Sequence, residues 1–449
     1  MSSEVRPIGA AELTHAAATR RRAPRPFASS PGDRPGARRD GTAAAARILR
    51  LARRYHRAEL MTRRGRPWAV RAALLAPARA AREALHAVRR YGSVTVEHDG
   101  ISPLRQLAWT WWLNLRYEYD GRTVYRFRLF SRRRATPGPG FLQWEIASVL
   151  YRTVLARTAP TAAAILADKR RFAAWCADQR LPTAPMLMEF EGGRVSRRHV
   201  PDGERPASDL FAKWGAQYGG DDTQCWRHVD GRYLDDAGHA WTFDEIADAL
   251  ARRSTRGVVL LQPRLVNHPA LRALSSRALS TLRIMTTQRP GEPPRFLAGV
   301  LRMGTGTSTA DNFAQGGIAS PVDADTGVIG EARRLDEEQR TYVYTTHPDT
   351  GATIPGFQVP CWREGVQLAL DAHARLGPIA CVGWDVAVLE DGPVLLEGNW
   401  NPCTKLLQVA TQTPLLATEF ADTFAAWLAE PACAVADREL PEYARWTPV

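Results

Sequence analysis

Two apolar runs near the C-terminus are separated by a short turn. The runs Val382–Leu389 and Val394–Glu397 flank Asp391, Gly392 and Pro393. An Asp-Gly pair between two hydrophobic runs is typical of a β-hairpin. The pattern therefore predicts a two-stranded β-ribbon at this point of the chain.

Three polar side chains interrupt the apolar pattern of this ribbon. Asp385 lies in the first strand, and Glu397 and Asn399 lie at the end of the second. Side chains alternate faces along a strand, so Glu397 and Asn399 share one face. Asp385 joins that face if the loop has an odd number of residues, such as Asp391–Pro393. In that register Asp385 lies opposite Asn399, and Glu397 lies opposite Ala387.

Converging carboxylate and amide oxygens suit a hard cation. Mg²⁺ prefers one or two carboxylates together with substrate phosphates. A structural alternative is a buried pair of acids satisfied by a neighbouring arginine or by backbone N–H groups. The ribbon alone leaves both interpretations open.

The region before the ribbon alternates strand-like and helix-like patterns, which predicts an α+β fold. Predicted strands are Met186–Phe190, Asp209–Trp214, Trp226–Tyr233, Val258–Gln262, Leu279–Thr287 and Arg295–Arg302. Predicted helices are Phe141–Arg157, Arg171–Gln179, Phe243–Arg252, Trp362–Leu376 and Leu415–Leu428. A polar, Gly-rich loop follows the last of these strands at Gly304–Gly317.

The N-terminal part of the chain has a different composition. Residues 1–42 are rich in Ala, Arg, Pro and Gly and predict a disordered basic tail. Residues 43–160 predict a mostly helical region, with strand-like patterns at Tyr91–His98 and Tyr117–Leu129. We expect the main domain at 161–430 and a C-terminal extension at 431–449.

A tryptophan cluster lies inside the helical region. Trp109, Trp111 and Trp112 stand between Arg105 and Arg116. Such a segment can lie on a membrane surface, so a peripheral membrane contact is one interpretation. Packing against the following domain is the interpretation we favour, because large aromatic side chains more often fill cores.

Charge and cysteine content narrow the class of protein. The formal charge is +13, with much of the excess near the N-terminus, but no nucleic-acid-binding module accompanies it, and we expect no specific nucleic-acid partner. The six cysteines show no metal-binding spacing and fit a reducing compartment. No stretch reaches the roughly 18 apolar residues of a membrane span. We therefore expect a cytoplasmic protein.

Polar positions before the ribbon occur in an informative order. They are Lys169 at a helix start, Lys213 near a strand end, Gly219 and Gly220 in the loop that follows, Gln262 closing an apolar strand, and Arg283 inside a strand. Ammonium groups neutralise phosphates, a glycine loop lets backbone N–H groups approach them, and an apolar slot accepts adenine. These chemistries suit ATP. Two structural alternatives stay open: Lys169 as a solvated helix-start residue, and Arg283 in an ion pair with Asp385 or Glu397.

Several stretches together resemble the ATP-grasp superfamily, and most closely the sugar-transfer associated ATP-grasp family. They are ADKRRFAAWCADQRLPTAP, LFAKWGAQYGG, LSTLRI, LRMGTGTSTADNFAQGGIASPVDADTG, HPDTG…IPGF and GWDVAVLEDGPVLLEGNWNP, within Asp168–Gln408. The resemblance implies two α+β lobes that clamp ATP, after a helical N-terminal region.

The resemblance also implies site roles. It assigns ATP contacts to Lys169, Lys213 and the glycine loop, and an adenine-hinge contact to Gln262. The implied metal ligands are Asp385, Glu397 and Asn399, for two Mg²⁺ ions. The remaining implied contacts to phosphate or substrate are the catalytic arginines Arg283 and Arg302, and Asn312 with Gly316 and Gly317.

The implied activity is that of an ATP- and Mg²⁺-dependent carboxylate ligase of the carboxylate–amine or carboxylate–thiol type. An acyl phosphate would form and be captured by an amine or another nucleophile. The expected partners are a small-molecule or glycan-linked carboxylate and its acceptor, and the family name points to polysaccharide biosynthesis. The alternatives are an ATP-dependent phosphotransferase and a non-catalytic nucleotide-binding scaffold.

Overall fold

The protein mixes helices with antiparallel strands, which confirms the predicted α+β class. The structure, a computed structural model, describes residues 45, 48–50, 74–129, 140–201, 203–215, 223–275, 277–306, 311–336 and 340–434. The predicted basic tail and residues 435–449 of the predicted extension lie outside the described residues. Within these ranges, no helix combines the length and the apolar character that crossing a membrane requires.

The N-terminal region is helical, with a hairpin of two helices followed by shorter ones. The helices are α1 Ala76–Asp99, α2 Pro103–Tyr117, α3 Gly121–Arg126, α4 Trp144–Thr158, α5 Pro160–Ala167 and α6 Lys169–Asp178. Gly100 closes α1 in the left-handed conformation, with φ 62°, which turns the chain into α2. Close packing joins the two, since a Cβ on Gly92 would lie 2.8 Å from Gln106 Oε1.

Both strand-like predictions in this region are wrong. Tyr91–His98 is part of α1. Its buried residues Tyr91 and Thr95 continue the stripe of buried residues that Ala84 and Ala87 form along this helix. Tyr117–Leu129 contains the end of α2 and all of α3. The Asp120 side chain accepts a hydrogen bond from Thr123 N and starts α3, so a local cap prevails over the loose alternation.

The smaller sheet carries one wall of the central cavity. Its strands are β1 Met188–Glu191, β2 Arg194–Arg198, β3 Leu210–Trp214, β4 Gln224–Val229, β5 Arg232–Leu234, β6 Ala240–Trp241 and β7 Val259–Pro263. Among the described strands the order is β2-β1-β7-β3-β4-β5-β6, all antiparallel. Helix α7, Phe243–Arg253, starts with a capping box and packs its apolar face on this sheet.

The larger sheet carries the opposite wall. Its strands are β8 Thr281–Thr287, β9 Arg295–Met303, β10 Ile318–Pro321, β11 Ala332–Leu335, β12 Thr341–Tyr344, β13 Cys381–Leu389 and β14 Gly392–Asn399. Their order within the described chain is β12-β11-β10-β9-β8-β13-β14, again antiparallel. The accompanying helices are α8 Trp362–Leu376, α9 Thr404–Thr411, α10 Glu419–Trp427 and α11 Pro431–Ala434. The predicted ribbon is therefore β13 and β14, at one edge of this sheet.

The N-terminal helices share a hydrophobic core with the larger sheet, whereas the smaller sheet has a core of its own. Gln408 of α9 binds both backbone groups of Leu142, at 2.8 Å and 2.9 Å, which fixes the start of α4. A short linker that includes Pro182 and Ala184 lies between the two sheets. It is attached to β14, because Leu395 N donates to Pro182 O at 2.9 Å and Ala184 N donates to Leu395 O at 3.3 Å. The predicted domain boundaries stay a prediction.

Candidate active site

A cavity of about 800 Å³ lies between the two sheets. This volume is typical of a site for a small molecule. Nine of the residues singled out in the sequence line it: Lys169, Lys213, Gln262, Arg283, Arg302, Asn312, Asp385, Glu397 and Asn399. Gly219 and Gly220 lie outside the described residues. Among the described side chains that line the cavity, nine are basic and four are acidic, which favours an anionic ligand.

The ribbon presents its polar residues through a register that the sequence did not reveal. The turn has two residues, Glu390 and Asp391, rather than three, and Leu389 pairs with Gly392. An even loop alone would turn Glu397 away from Asp385. The register shifts beside Asp385, so that Leu396 is an extra residue and the two faces return to phase.

The predicted pairing within the ribbon is therefore wrong by two positions. Asp385 lies opposite Glu397, and Asn399 lies opposite Gly383. The three polar side chains still share one face, because the extra residue Leu396 has the same effect on phase as the odd loop that the sequence suggested.

Asp385 forms the centre of a buried charge network on the larger sheet. Arg283 lies directly across from it on β8 and donates Nε and Nη2 to its two carboxylate oxygens, the second at 3.0 Å. Arg302 of β9 donates Nη2 to Asp385 Oδ2, also at 3.0 Å. The ion pair between Arg283 and Asp385, which the sequence left open, is present, and both groups also line the cavity.

Asp311 and Thr281 extend this network and were not singled out from the sequence. Arg302 Nε lies 3.5 Å from Asp311 Oδ2 and donates to Thr281 Oγ1 at 2.9 Å, and Thr281 donates its hydroxyl to Asp311. Burial raises the pKa of Asp311, although Arg302 opposes that change. Burial alone would lower the pKa of Arg302, but Asp311 and Asp385 hold it above its ordinary value. The signal that could have identified Asp311 in the sequence is an acidic residue inside the Gly-rich loop.

Glu397 connects the ribbon to helix α6. Its Oε2 lies 3.5 Å from Lys169 Nζ, and its Oε1 accepts a hydrogen bond from Asn399 Nδ2 at 3.2 Å. Burial would raise the pKa of Glu397, but the positive charges of Lys169, Arg283 and Lys213 outweigh it and hold the pKa well below its usual range. Glu397 is therefore a carboxylate at neutral pH. Asp168 is the N-cap of α6 and accepts a hydrogen bond from Arg170 N at 2.8 Å. This cap fixes the position of Lys169 at the start of the helix.

The candidate metal ligands are Asp385, Glu397 and Asn399. Two carboxylates and an amide are the donor set that a hard divalent cation accepts, and they share one face of the ribbon. Both described hydrogen bonds of Asn399 use Nδ2, so its Oδ1 remains an acceptor for a cation. Within the described residues, no cluster of three or more His, Cys, Asp or Glu side chains forms a metal site. The set fits a metal that also binds to ligand oxygens better than a metal held by protein alone.

Lys213 faces the same charges from the smaller sheet. It lies on β3, paired with Leu260 of β7. Burial lowers its pKa to about 8, the positive charge of Lys169 adds to that effect, and Glu397 and Asp385 oppose it. These mutual effects show that Lys213, Lys169 and the ribbon share one electrostatic environment. An anionic ligand would stabilise the charged form of such a lysine.

Gln262 closes an apolar slot beside Lys213. It is buried at the end of β7, pairs with Phe211 of β3, and donates Nε2 to Pro185 O at 3.1 Å. Apolar residues around it complete the slot: Ala184, Phe211, Pro263 and Leu265. Gln262 therefore ties the linker to the smaller sheet and lines the cavity with the rest of its side chain.

The Gly-rich loop between β9 and β10 places Asn312 in the cavity. Asn312 O accepts hydrogen bonds from Gln315 N at 3.0 Å and Gly317 N at 3.1 Å. A Cβ on Gly317 would lie 2.9 Å from Asn312 O, so glycine is required by this close approach. Residues 307–310 of the loop lie outside the described residues.

The N-terminal helices, α9 and the segment before α9 supply a further wall that sequence analysis missed. Its polar and aromatic members are Asp120, Arg122, Thr123, Arg126, Trp144, Asn401 and Lys405. The strand-like misassignment of Tyr117–Leu129 hid the first four, because a helix start brings such residues together and an extended strand does not. The cavity therefore has a third wall, apart from the two sheets.

A comparison with known protein families now gives the class. A sequence profile described as sugar-transfer associated ATP-grasp matches residues 154–421, more than half of the chain. The protein therefore belongs to the ATP-grasp superfamily. Within that superfamily it belongs to the sugar-transfer associated ATP-grasp family, which confirms the resemblance seen in the sequence. The two-lobed ATP-grasp fold predicted from that resemblance is confirmed with it.

Other comparisons give less detail. One solved structure that is similar is the ADP complex of N5-carboxyaminoimidazole ribonucleotide synthetase, at 7% identity and a TM-score of 0.32. The similarity covers 54% of this chain and 46% of that one, so the matched part spans less than half of the other protein. No curated protein matches the sequence.

Proposed function

We propose that this protein is an ATP- and Mg²⁺-dependent ligase that activates a substrate carboxylate as an acyl phosphate. Family membership supports ATP binding, a divalent metal and ligase-type activity. The observation that carries the proposal is the single cavity shared by Lys169, Lys213 and the acidic ribbon. Groups that neutralise phosphates and groups that bind a hard cation have to meet if a triphosphate is to be held and activated.

The chemistry is a transfer in two steps. A carboxylate oxygen of the substrate attacks the γ-phosphorus of ATP, the bond to the β–γ bridging oxygen breaks, and ADP leaves. An amine or another nucleophile then attacks the acyl carbon and loses a proton, and inorganic phosphate leaves with the oxygen of the former carboxylate. No covalent link to the protein is needed, so the side chains act through position and charge.

Residues of the larger sheet would hold the phosphates and the metal. Asp385, Glu397 and Asn399 would hold the two Mg²⁺ ions, which would supply neutralising charge at the transferring phosphoryl group when bound. Arg302 is kept charged by its buried acids and would stabilise negative charge on the phosphoryl or acyl phosphate oxygens. Arg283 holds Asp385 in place through two hydrogen bonds.

Residues of the smaller sheet would hold the rest of the nucleotide. The apolar slot beside Gln262 suits a flat adenine ring, and Lys213 lies between that slot and the ribbon. Lys169 would bind the phosphates from the side opposite to Lys213. Its ion pair with Glu397 would then be replaced by a contact between Glu397 and a metal ion. Gly219, Gly220 and Asn312 would contact the phosphates or the substrate through their loops.

The third wall would bind the substrate to be activated. Arg122, Arg126 and Lys405 outnumber Asp120, the one acid among the described residues of this wall. The net charge of the wall is therefore positive and would attract a carboxylate, and Trp144 offers an apolar face beside these residues. The family description favours a substrate from polysaccharide or glycan-linked biosynthesis.

The six cysteines are all free thiols, which agrees with a cytoplasmic location.

Transfer of labelled oxygen tests the mechanism. Pairs of carboxylates and amines would first be screened for ADP release, and the active carboxylate would then be prepared with ¹⁸O. We expect the label in the released phosphate. Unlabelled phosphate would exclude an acyl phosphate, a stable phosphorylated product would instead identify a phosphotransferase, and nucleotide binding without ADP release in any pair would indicate a scaffold.

A further inference from the structure

Exposed apolar side chains are concentrated on the helical hairpin α1–α2. Among described residues, ten large hydrophobic side chains are exposed, and eight of them lie on or directly before these two helices: Leu74, Leu75, Leu85, Val96, Leu104, Trp111, Trp112 and Leu115. The other two, Val195 and Val266, lie apart on the smaller sheet and the segment after it. A concentration of exposed apolar side chains on one pair of helices is typical of an interaction site.

Helix α2 has its apolar stripe on the outside. The buried positions include the polar residues Gln106 and Thr110. The exposed positions recur at helical spacing along one face: Leu104, Arg105, Ala108, Trp111, Trp112, Leu115 and Arg116. A helix that served only the core of this protein would be turned the other way. The outer stripe is therefore available to a partner outside this chain's own core.

The polar residues of α2 are buried for a structural reason. Gln106 Nε2 donates to Ile101 O at 2.7 Å and to Gly92 O at 3.2 Å, and its Oε1 accepts a hydrogen bond from the Tyr125 hydroxyl at 2.7 Å. These contacts fix the rotation of α2 about its axis. The rotation places Trp109 partly in the core and leaves Trp111 and Trp112 outside, each about 40% exposed.

The exposed faces of α1 and α2 meet. Trp111 Nε1 donates to Pro77 O near the start of α1 at 3.1 Å. Along the exposed face of α1, apolar positions such as Leu85 alternate with arginines. We call this combined surface of residues 74–116 the outer face of the hairpin.

Among the side chains of the outer face that the structure describes, the exposed charges are positive. Six arginines are exposed there: Arg79, Arg82, Arg89, Arg90, Arg105 and Arg116. Among the acids of residues 74–116 whose side chains are described, Glu83 is half-buried and accepts a hydrogen bond from Gly121 N at 3.1 Å. A symmetric contact between two copies of this face would place arginines against arginines, which disfavours a dimer.

We infer that the outer face of the hairpin lies on the surface of an anionic lipid bilayer. Tryptophan and leucine side chains enter the interface between headgroups and acyl chains, where an aromatic ring with a polar edge is favoured. The arginines remain at the level of the lipid phosphates, which attract them. The contact is peripheral, and it holds whichever reaction the cavity performs.

Vesicle sedimentation with the full chain tests this inference. The probes are vesicles of phosphatidylcholine alone and of phosphatidylcholine mixed with phosphatidylglycerol. We expect binding to the anionic vesicles, and a decrease in affinity of about tenfold or more for the double variant Trp111→Ser and Trp112→Ser. That variant keeps every charge of the chain, including the basic residues before position 42, so its loss of binding reports on the outer face.

Matched variants on the smaller sheet serve as controls. Val195 on β2 is 38% exposed, close to the exposure of Trp111, so Val195→Ser should bind like the wild type. For charge, Arg105→Glu with Arg116→Glu should lose anionic binding, whereas Arg194→Glu with Arg197→Glu, the same change in net charge, should retain most of it. Thermal unfolding checks that each variant is folded.

Two results would overturn the inference. One is vesicle binding that is unchanged in the double tryptophan variant, including the case in which the wild type binds no vesicles at all. The other is a wild-type dimer in light scattering that the tryptophan variant converts to monomer, which would show that a second copy covers this face.

Discussion

The two sheets meet the cavity with charges of different kinds. On the larger sheet, Asp385 is held by hydrogen bonds from Arg283 and Arg302 that are formed without a ligand. On the smaller sheet, Lys213 is half-buried, and desolvation lowers its pKa to about 8, so its charge is costly until an anion binds. One wall is therefore prepared before the ligand binds, and the other responds to it. The two walls should react differently to mutation and to pH.

The largest expected effect is on the prepared wall. Asp385→Asn removes the buried acid that the guanidinium groups of Arg283 and Arg302 share, so we expect the free energy of unfolding to fall by about 3 to 5 kcal/mol, together with activity. Urea unfolding measures the change. Asp391→Asn, at the exposed turn of the same ribbon, is the control, and equal stability of the two variants would contradict the structural importance of the network.

Glu397 separates catalytic from structural effects within that wall. Glu397→Gln keeps the shape of the side chain but removes a proposed metal ligand, so we expect ADP release to fall about a hundredfold or more, because a metal supplies several kcal/mol of charge stabilisation. Its stability should fall by less than that of Asp385→Asn, because the Glu397 side chain is partly exposed. Steady-state kinetics of Glu390→Gln, on the exposed turn between β13 and β14, provide the baseline, and similar rates for both variants would exclude the metal role.

The responsive wall should show a dependence on pH. Lys213 is charged below its pKa of about 8 and attracts phosphate there, and this attraction is lost as pH rises through that value. We expect the Kd for ATP to rise by up to about tenfold per pH unit above 8, measured by titration calorimetry. Lys213→Arg should bind ATP without this rise, because guanidinium stays charged. A pH profile identical in both proteins would contradict the role of Lys213.

The smallest expected effect is at the apolar slot. Gln262→Leu removes the hydrogen bond to Pro185 O and one polar group from the slot, so we expect the KM for ATP to rise by about threefold to tenfold, with kcat nearly unchanged. Gln224→Leu, on the exposed side of β4, is the matched control. A large loss of kcat at Gln262 would mean that the residue acts on the phosphates rather than on the base.

The sequence predicted the residues of the two sheets better than their registers. Asp385, Glu397 and Asn399 could be selected because polar side chains in an apolar run are conspicuous. Their pairing could not, because the extra residue Leu396 has no signature and its effect depends on the loop length. A bulge of this kind is decided by packing across neighbouring strands, which a single chain segment does not encode.

The third wall was beyond reach for a different reason. Arg122 and Arg126 look like ordinary charges of an Arg-rich region, and only the start of α3 brings them to the cavity. The exposure of Trp111 and Trp112 could not be predicted, because composition cannot show the rotation of a helix. Buried Gln106 fixes that rotation through three hydrogen bonds, and the same rotation places Trp111 and Trp112 at the surface.

The most direct test of the central claim is a crystal structure with a non-hydrolysable ATP analogue and Mn²⁺ in place of Mg²⁺. We predict the phosphates between Lys169 and Lys213, with anomalous scattering from Mn²⁺ beside Asp385, Glu397 and Asn399. A nucleotide bound outside this cavity, or a metal signal away from the ribbon, would contradict the account.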